Sequence, residues 1–208
     1  MLILSTAAAI VQIFTGTYSA ISALISVYGY AAIIVLMILE SASLPIPSEV
    51  ILPLAGHFAQ IGDLNLYMAI LASLVGTVIG ISMDYAIAYF LEKNVVYKHL
   101  RSFHVKQSTL DSFDAWFAKN GAFTVFISRM LPIVRGLISF PAGFAKMPLR
   151  DFYLYSIAGV FIWNVALMLF GYYALSIASA QLLFAVLAVF AIVLYLVYRL
   201  GMKRIRGK

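Results

Sequence analysis

No cysteine occurs anywhere in the chain. That excludes a disulfide framework, a thiolate nucleophile and any Cys-ligated metal or iron–sulfur site, while leaving the redox compartment open. Charge is scarce too: Asp, Glu, Lys and Arg make up 11% of the residues, against about 25% in a soluble domain. Residues 1–92 hold no Lys or Arg. A secretory signal peptide needs a positive n-region, so the apolar start is not expected to be one. No P-loop, dinucleotide fingerprint or zincin motif is present, and His57, His99 and His104 lack ligand spacing. The expectation is no metal, no cofactor and, for want of a nucleophile, no enzyme. What remains is hydrophobic: 64% of the 208 residues, with mean hydropathy +1.02. Such a chain is expected to be a single all-α membrane domain.

The formal charge of +6 is unevenly placed. Apart from Arg129 and Arg135, every Lys and Arg falls within 93–119, 146–150 or 199–208. These clusters flank apolar segments with little aromatic interleaving, so they read as a cytoplasmic-face signal rather than a nucleic-acid patch. A multi-pass protein of the plasma or inner membrane is expected, with the basic loop and basic tail in the cytoplasm.

Read in order, 1–27 is an N-terminal helix that either spans or lies in the interface. Residues 66–91, 151–175 and 181–199 are spanning helices, the first with Gly76 and Gly80 forming a close-packing face for this chain or for a homodimer. Residues 92–120 are a polar loop whose amphipathic helix, opened by Ser108, suits the membrane surface, and 200–208 are a basic tail. Between these lie two broken apolar segments, 28–60 and 121–147. The first is interrupted by Pro45, Pro47, Pro53 and Gly56, the second by Pro132, Gly136, Pro141 and Gly143. Neither can be one clean spanning helix. Each begins at a glycine-containing break, Tyr28-Gly29-Tyr30 or Asn120-Gly121-Ala122, and closes on Ala-Gly. They read as two re-entrant helical hairpins. The second, by entering and leaving on one side, keeps all basic clusters on one face, so the hairpins are expected to open oppositely, as an inverted repeat.

Ionisable residues inside these segments are costly and therefore informative. Glu40 and Glu49 flank the first hairpin turn; Arg129 and Arg135 lie in the second, with no acid between Asp114 and Asp151. A guanidinium offers a bidentate fork suited to phosphate. A carboxylate facing it can exchange that cation for a proton. The expectation is phosphate binding by Arg129 and Arg135 and proton coupling by Glu40 and Glu49. The bland alternatives are carboxylates at the water interface and arginines that snorkel or form structural salt bridges. Asp84 and Asn164 are possible accessory groups, each equally readable as an interhelical hydrogen bond.

Two stretches resemble a known family. Glu40 to Gly56 reads ESASLPIPSEVILPLAG, and Phe126-x-x-Arg129-x-x-Pro132-x-x-Arg135 is followed by PAGFAKM. With Gly159-x-x-x-Trp163 and Phe170-Gly171-Tyr172, these are similar to the DedA membrane proteins, relatives of the VTT-domain lipid scramblases. The likeness covers roughly residues 25–175, with Glu49 standing where many members carry a second acid, often Asp. The resemblance implies two inverted re-entrant hairpins. It also implies transport of polyprenyl phosphate such as undecaprenyl phosphate, or of phospholipid, discussed as driven by the proton motive force.

The expected function is thus a flippase for an anionic lipid phosphate, coupled to protons, whose partners are membrane lipids and no nucleic acid. Its rivals are a proton-coupled small-solute or ion antiporter and a non-transporting membrane scaffold.

Overall fold

The computed structural model describes residues 2–44, 46–91, 107–132 and 134–174. They form eight helices: α1 (Leu2–Tyr28), α2 (Tyr30–Ser41), α3 (Ser48–Gln60), α4 (Leu66–Phe90), α5 (Gln107–Arg129), α6 (Val134–Leu137), α7 (Ser139–Phe144) and α8 (Leu149–Ala174). The expected helix over 181–199, the tail, Pro45, His99 and His104 lie outside the described residues.

Among the described residues two helices are long and apolar enough to cross a membrane, Leu66–Phe90 and Leu149–Tyr173, each of 25 residues. At about 1.5 Å per residue each exceeds the ~30 Å hydrocarbon core. On α4 the residues Tyr67, Leu71, Val75, Ile79, Met83 and Ile87, one per turn, are exposed. Its other face is mainly small or polar and buried: Ala69, Ala72, Ser73, Gly76, Thr77, Gly80 and Asp84. Apolar residues outward and small ones inward is the pattern of a helix solvated by lipid and packed by close backbone approach. Asn65 caps α4, its Oδ1 accepting from Tyr67 N at 3.0 Å and Met68 N at 3.2 Å.

Four of the other helices, α2, α3, α5 and α7, pack on this pair through glycine. Gly76 meets Ile34 and Met37, and Gly80 meets Ile38 and Ser41, so this face joins α4 to α2 within the chain. Gly143 of α7 lies against Tyr85, Ala88 and Tyr89 of α4. Gly159 of α8 lies against Phe126 and Arg129 of α5, and Gly56 and Gly171 lock α3 to α8. Each spanning helix therefore carries one arm from each broken segment.

The first broken segment divides as its punctuation suggests. Gly29, at φ 54, turns the chain between α1 and α2, a conformation only glycine adopts freely. α2 has 12 residues and α3 has 13, each about half a bilayer long. Pro53 lies inside α3 rather than breaking it. The second segment departs from expectation. No break occurs at Asn120-Gly121: α5 runs unbroken through both for 23 residues. A helical glycine costs about 1 kcal/mol, and here it fits under the Phe117 ring, which a Cβ would approach to 3.2 Å. Phe117 itself is buried, in one core with Ile81, Tyr85, Val125, Ile138, Ala142 and Phe152, so this turn of α5 is not a free surface helix. α1, left open from sequence, is one helix of 27 residues whose Ile21 and Ile25 join a second core with Ile33, Met37, Ile51, Leu54 and Met168.

Candidate functional site

Between the two cores the turns of the broken segments meet. Glu40 is the next-to-last residue of α2, where the helix dipole disfavours a carboxylate. It is held there by a cation from the other half of the chain: Arg135 Nη2 lies 2.8 Å from both Glu40 oxygens. Ser41 Oγ donates to Glu40 Oε2 at 3.0 Å. Both charges are withdrawn from solvent, Glu40 at 8% and Arg135 at 6% exposure. The Arg135 guanidinium lies 5.6 Å from the centre of the Trp163 ring, and its Nη1 has no hydrogen-bond partner among the described residues. One side of this arginine is therefore satisfied and the other is not.

Arg129 is placed differently. It ends α5, where the dipole favours a cation, and is 2% exposed. Its Nη2 donates to Ser139 Oγ at 2.8 Å and Ser156 Oγ at 3.2 Å, its Nε to Ser156 Oγ at 3.3 Å, and its Nη1 to the Arg135 carbonyl. Every acceptor is an uncharged oxygen. The guanidinium lies 5.7 Å from the centre of Phe152. Glu40 and Asp84 act on it only through their fields.

Asp84, 2% exposed on α4, accepts from Ser43 Oγ at 2.6 Å. Ser43 has a left-handed backbone, φ 60, and its Oγ is also 3.5 Å from the Gly136 carbonyl. Asp84 thus fastens the first turn where it touches the second. Asn164, fully buried, donates to Ser73 Oγ at 3.1 Å, the interhelical bond the sequence allowed. Its Oδ1 has no hydrogen-bond partner among the described residues.

Of the expected residues, the structure brings together Glu40, Arg135, Arg129 and Asp84. Among the described residues no ion pair joins Glu49 to Arg129 or Arg135, and the expected pairing of two acids against two arginines is corrected there to one direct pair, Glu40 with Arg135. Glu49 is half-buried in the first turn of α3, with Ser48 Oγ 3.5 Å away. The positive end of that helix accounts for an acid there. Pro47 sets the start of α3 and Pro132 the turn after α5. Ser43, Ser139, Ser156 and Trp163 were not singled out as site residues from the sequence. The serines carried no signal beyond polarity inside apolar runs.

Taken with its two crossing helices, this is a multi-pass helical membrane protein with a buried ion pair where two turns meet. The VTT domain family matches residues 46–173, and the chain belongs to that family, the DedA proteins. It is 34% identical over 155 residues to undecaprenyl phosphate transporter A of Staphylococcus aureus, covering 73% of this chain and 76% of that protein. It is 28% identical over 167 residues to Protein DedA of Escherichia coli, covering 76% and 75%. An alkaline phosphatase-like protein of Lactococcus lactis is 34% identical over 149 residues, covering 69% and 70%. No solved structure matches.

Proposed function

We propose that the protein translocates a lipid phosphate across the membrane, with a proton exchanged at Glu40. The observation that carries this is the half-satisfied Arg135: a buried guanidinium bound to a carboxylate through Nη2 and, among the described residues, without a hydrogen-bond partner on Nη1. A phosphate monoester or diester offers the paired oxygens that such a fork takes. Stripping Glu40 from Arg135 without replacement would cost about 3–5 kcal/mol. Exchange is therefore best made in one act, in which the phosphate takes the guanidinium while a proton neutralises Glu40. Ser41 then keeps the protonated acid hydrogen-bonded. Arg129 adds positive potential behind Arg135, and the acyl or isoprenoid chain stays in lipid.

The same reading takes α2–α3 and the end of α5 with α6–α7 as re-entrant hairpins opening to opposite faces, an inverted repeat. It is supported by the crossed packing, in which α4 carries α2 and α7 while α8 carries α3 and α5. The basic loop and tail then face the cytoplasm.

The test is transfer of undecaprenyl phosphate between leaflets of proteoliposomes with an imposed pH gradient. Arg135→Ala should abolish transfer. Glu40→Gln should make any residual transfer insensitive to the gradient. Wild-type behaviour in both variants would end the proposal.

A further inference from the structure

Although both arginines are buried, only Arg135 has a guanidinium nitrogen without a hydrogen-bond partner among the described residues. We infer that Arg129 is a positioning residue, which fixes the backbone from which Arg135 reaches its phosphate and does not take the phosphate itself. The inference rests on the proposed function and divides the labour within that site. Arg129 spends its donors on the Arg135 carbonyl, Ser139 of α7 and Ser156 of α8. Those contacts tie α5, α6, α7 and α8 at one point. α6 has only four residues and cannot hold itself rigid. Gly159 lets α8 come up to the Arg129 Cβ, within 2.8 Å of where its own Cβ would be, closing the remaining side. To reach a phosphate, Arg129 would have to leave these buried partners, whereas Arg135 exchanges one carboxylate for another anion.

Positioning also explains why a cation is needed there. The Arg135 carbonyl and two serine oxygens converge, and a planar group with donors on three nitrogens satisfies all of them. A lysine ammonium lacks that geometry. When the Glu40 carboxylate gives way to phosphate, Arg135 loses its tether to α2, and the hold from Arg129 is what keeps its guanidinium in place.

The experiment uses the full chain in proteoliposomes with undecaprenyl phosphate as probe. Ser139→Ala/Ser156→Ala leaves both arginines and Glu40 intact. It should raise the half-saturating lipid phosphate about ten-fold, as expected for lost bonds to a charged group. It should also shift the pH of half-maximal transfer, because Arg135 then grips Glu40 less firmly. Arg129→Lys should shift both quantities in the same direction. Asn65→Ala, which removes only the α4 cap, should lower the melting temperature without moving either. Wild-type half-saturation and pH midpoint in the serine double variant, with binding lost in Arg129→Lys, would overturn the inference and make Arg129 a ligand. Wild-type transfer by Arg135→Ala would instead defeat the functional reading on which it rests.

Discussion

Truncating Arg135 leaves a carboxylate that is 8% exposed and without its cation. Breaking a buried pair from one side costs about 3–5 kcal/mol, whereas replacing both members by apolar or neutral groups is often near neutral. Arg135→Ala should therefore lower the detergent-solubilised melting temperature sharply, and Glu40→Gln/Arg135→Met should recover most of it. If the pair serves translocation, the double variant melts like wild type yet moves no undecaprenyl phosphate. A scaffold would regain its function together with its stability. At this scale the site was legible because charges are so few: an apolar chain that keeps Glu40 and Arg135 must satisfy each with something. Glu49 was misplaced because proximity in sequence was taken for proximity at the site. Its place at a helix start gives it a local reason to be acidic. The split between Arg129 and Arg135 was not legible, since it depends on which serines on other helices reach each guanidinium.

Glycine sets how closely the elements approach one another. An added Cβ at Gly171 would stand 1.9 Å from the Pro53 carbonyl oxygen, whereas at Gly136 its nearest neighbours are 3.8 Å away. Gly171→Ala should thus force α3 off α8 and cost about 1–3 kcal/mol or more. Gly136→Ala, in a helical position with room, should be neutral or slightly stabilising. Comparing the two melting temperatures in detergent checks this. Elements that are long and uniformly apolar, α4 and α8, were legible nearly to their ends. Those decided by packing were not. Gly121 and Pro53 both look like interruptions in sequence, yet burial of Phe117 beside one and close contact with Gly171 beside the other carry the helix through. Intrinsic preferences of about 1–3 kcal/mol are outweighed when a whole helical face is buried.

For the whole molecule the decisive matter is which face each broken segment opens to. α2 and α4 start together, tied by a 2.7 Å bond from Asn65 N to Tyr30 Oη, and they stay in step through Gly76 and Gly80. α2 stops near the middle of α4, and α3 ends only a short turn before α4 begins. On this geometry α2 starts and α3 ends near the start of α4. α7 lies beside Tyr85–Tyr89, near the other end of α4, and α8 begins soon after at Leu149. Opposed hairpins therefore put Asp63 and Arg150 on opposite faces. A second segment that crossed the bilayer completely would return Arg150 to the side of Asp63. The chain has no cysteine of its own, and both positions are exposed, so Asp63→Cys and Arg150→Cys each give one reporter without further engineering. With the basic clusters inside, a membrane-impermeant maleimide should label Asp63→Cys in intact cells. It should label Arg150→Cys only once the membrane is permeabilised. Labelling of both from outside would replace the opposed hairpins by a full crossing. It would also remove the two half-depth approaches, one from each face, by which the proposed function has a headgroup reach Glu40 and Arg135.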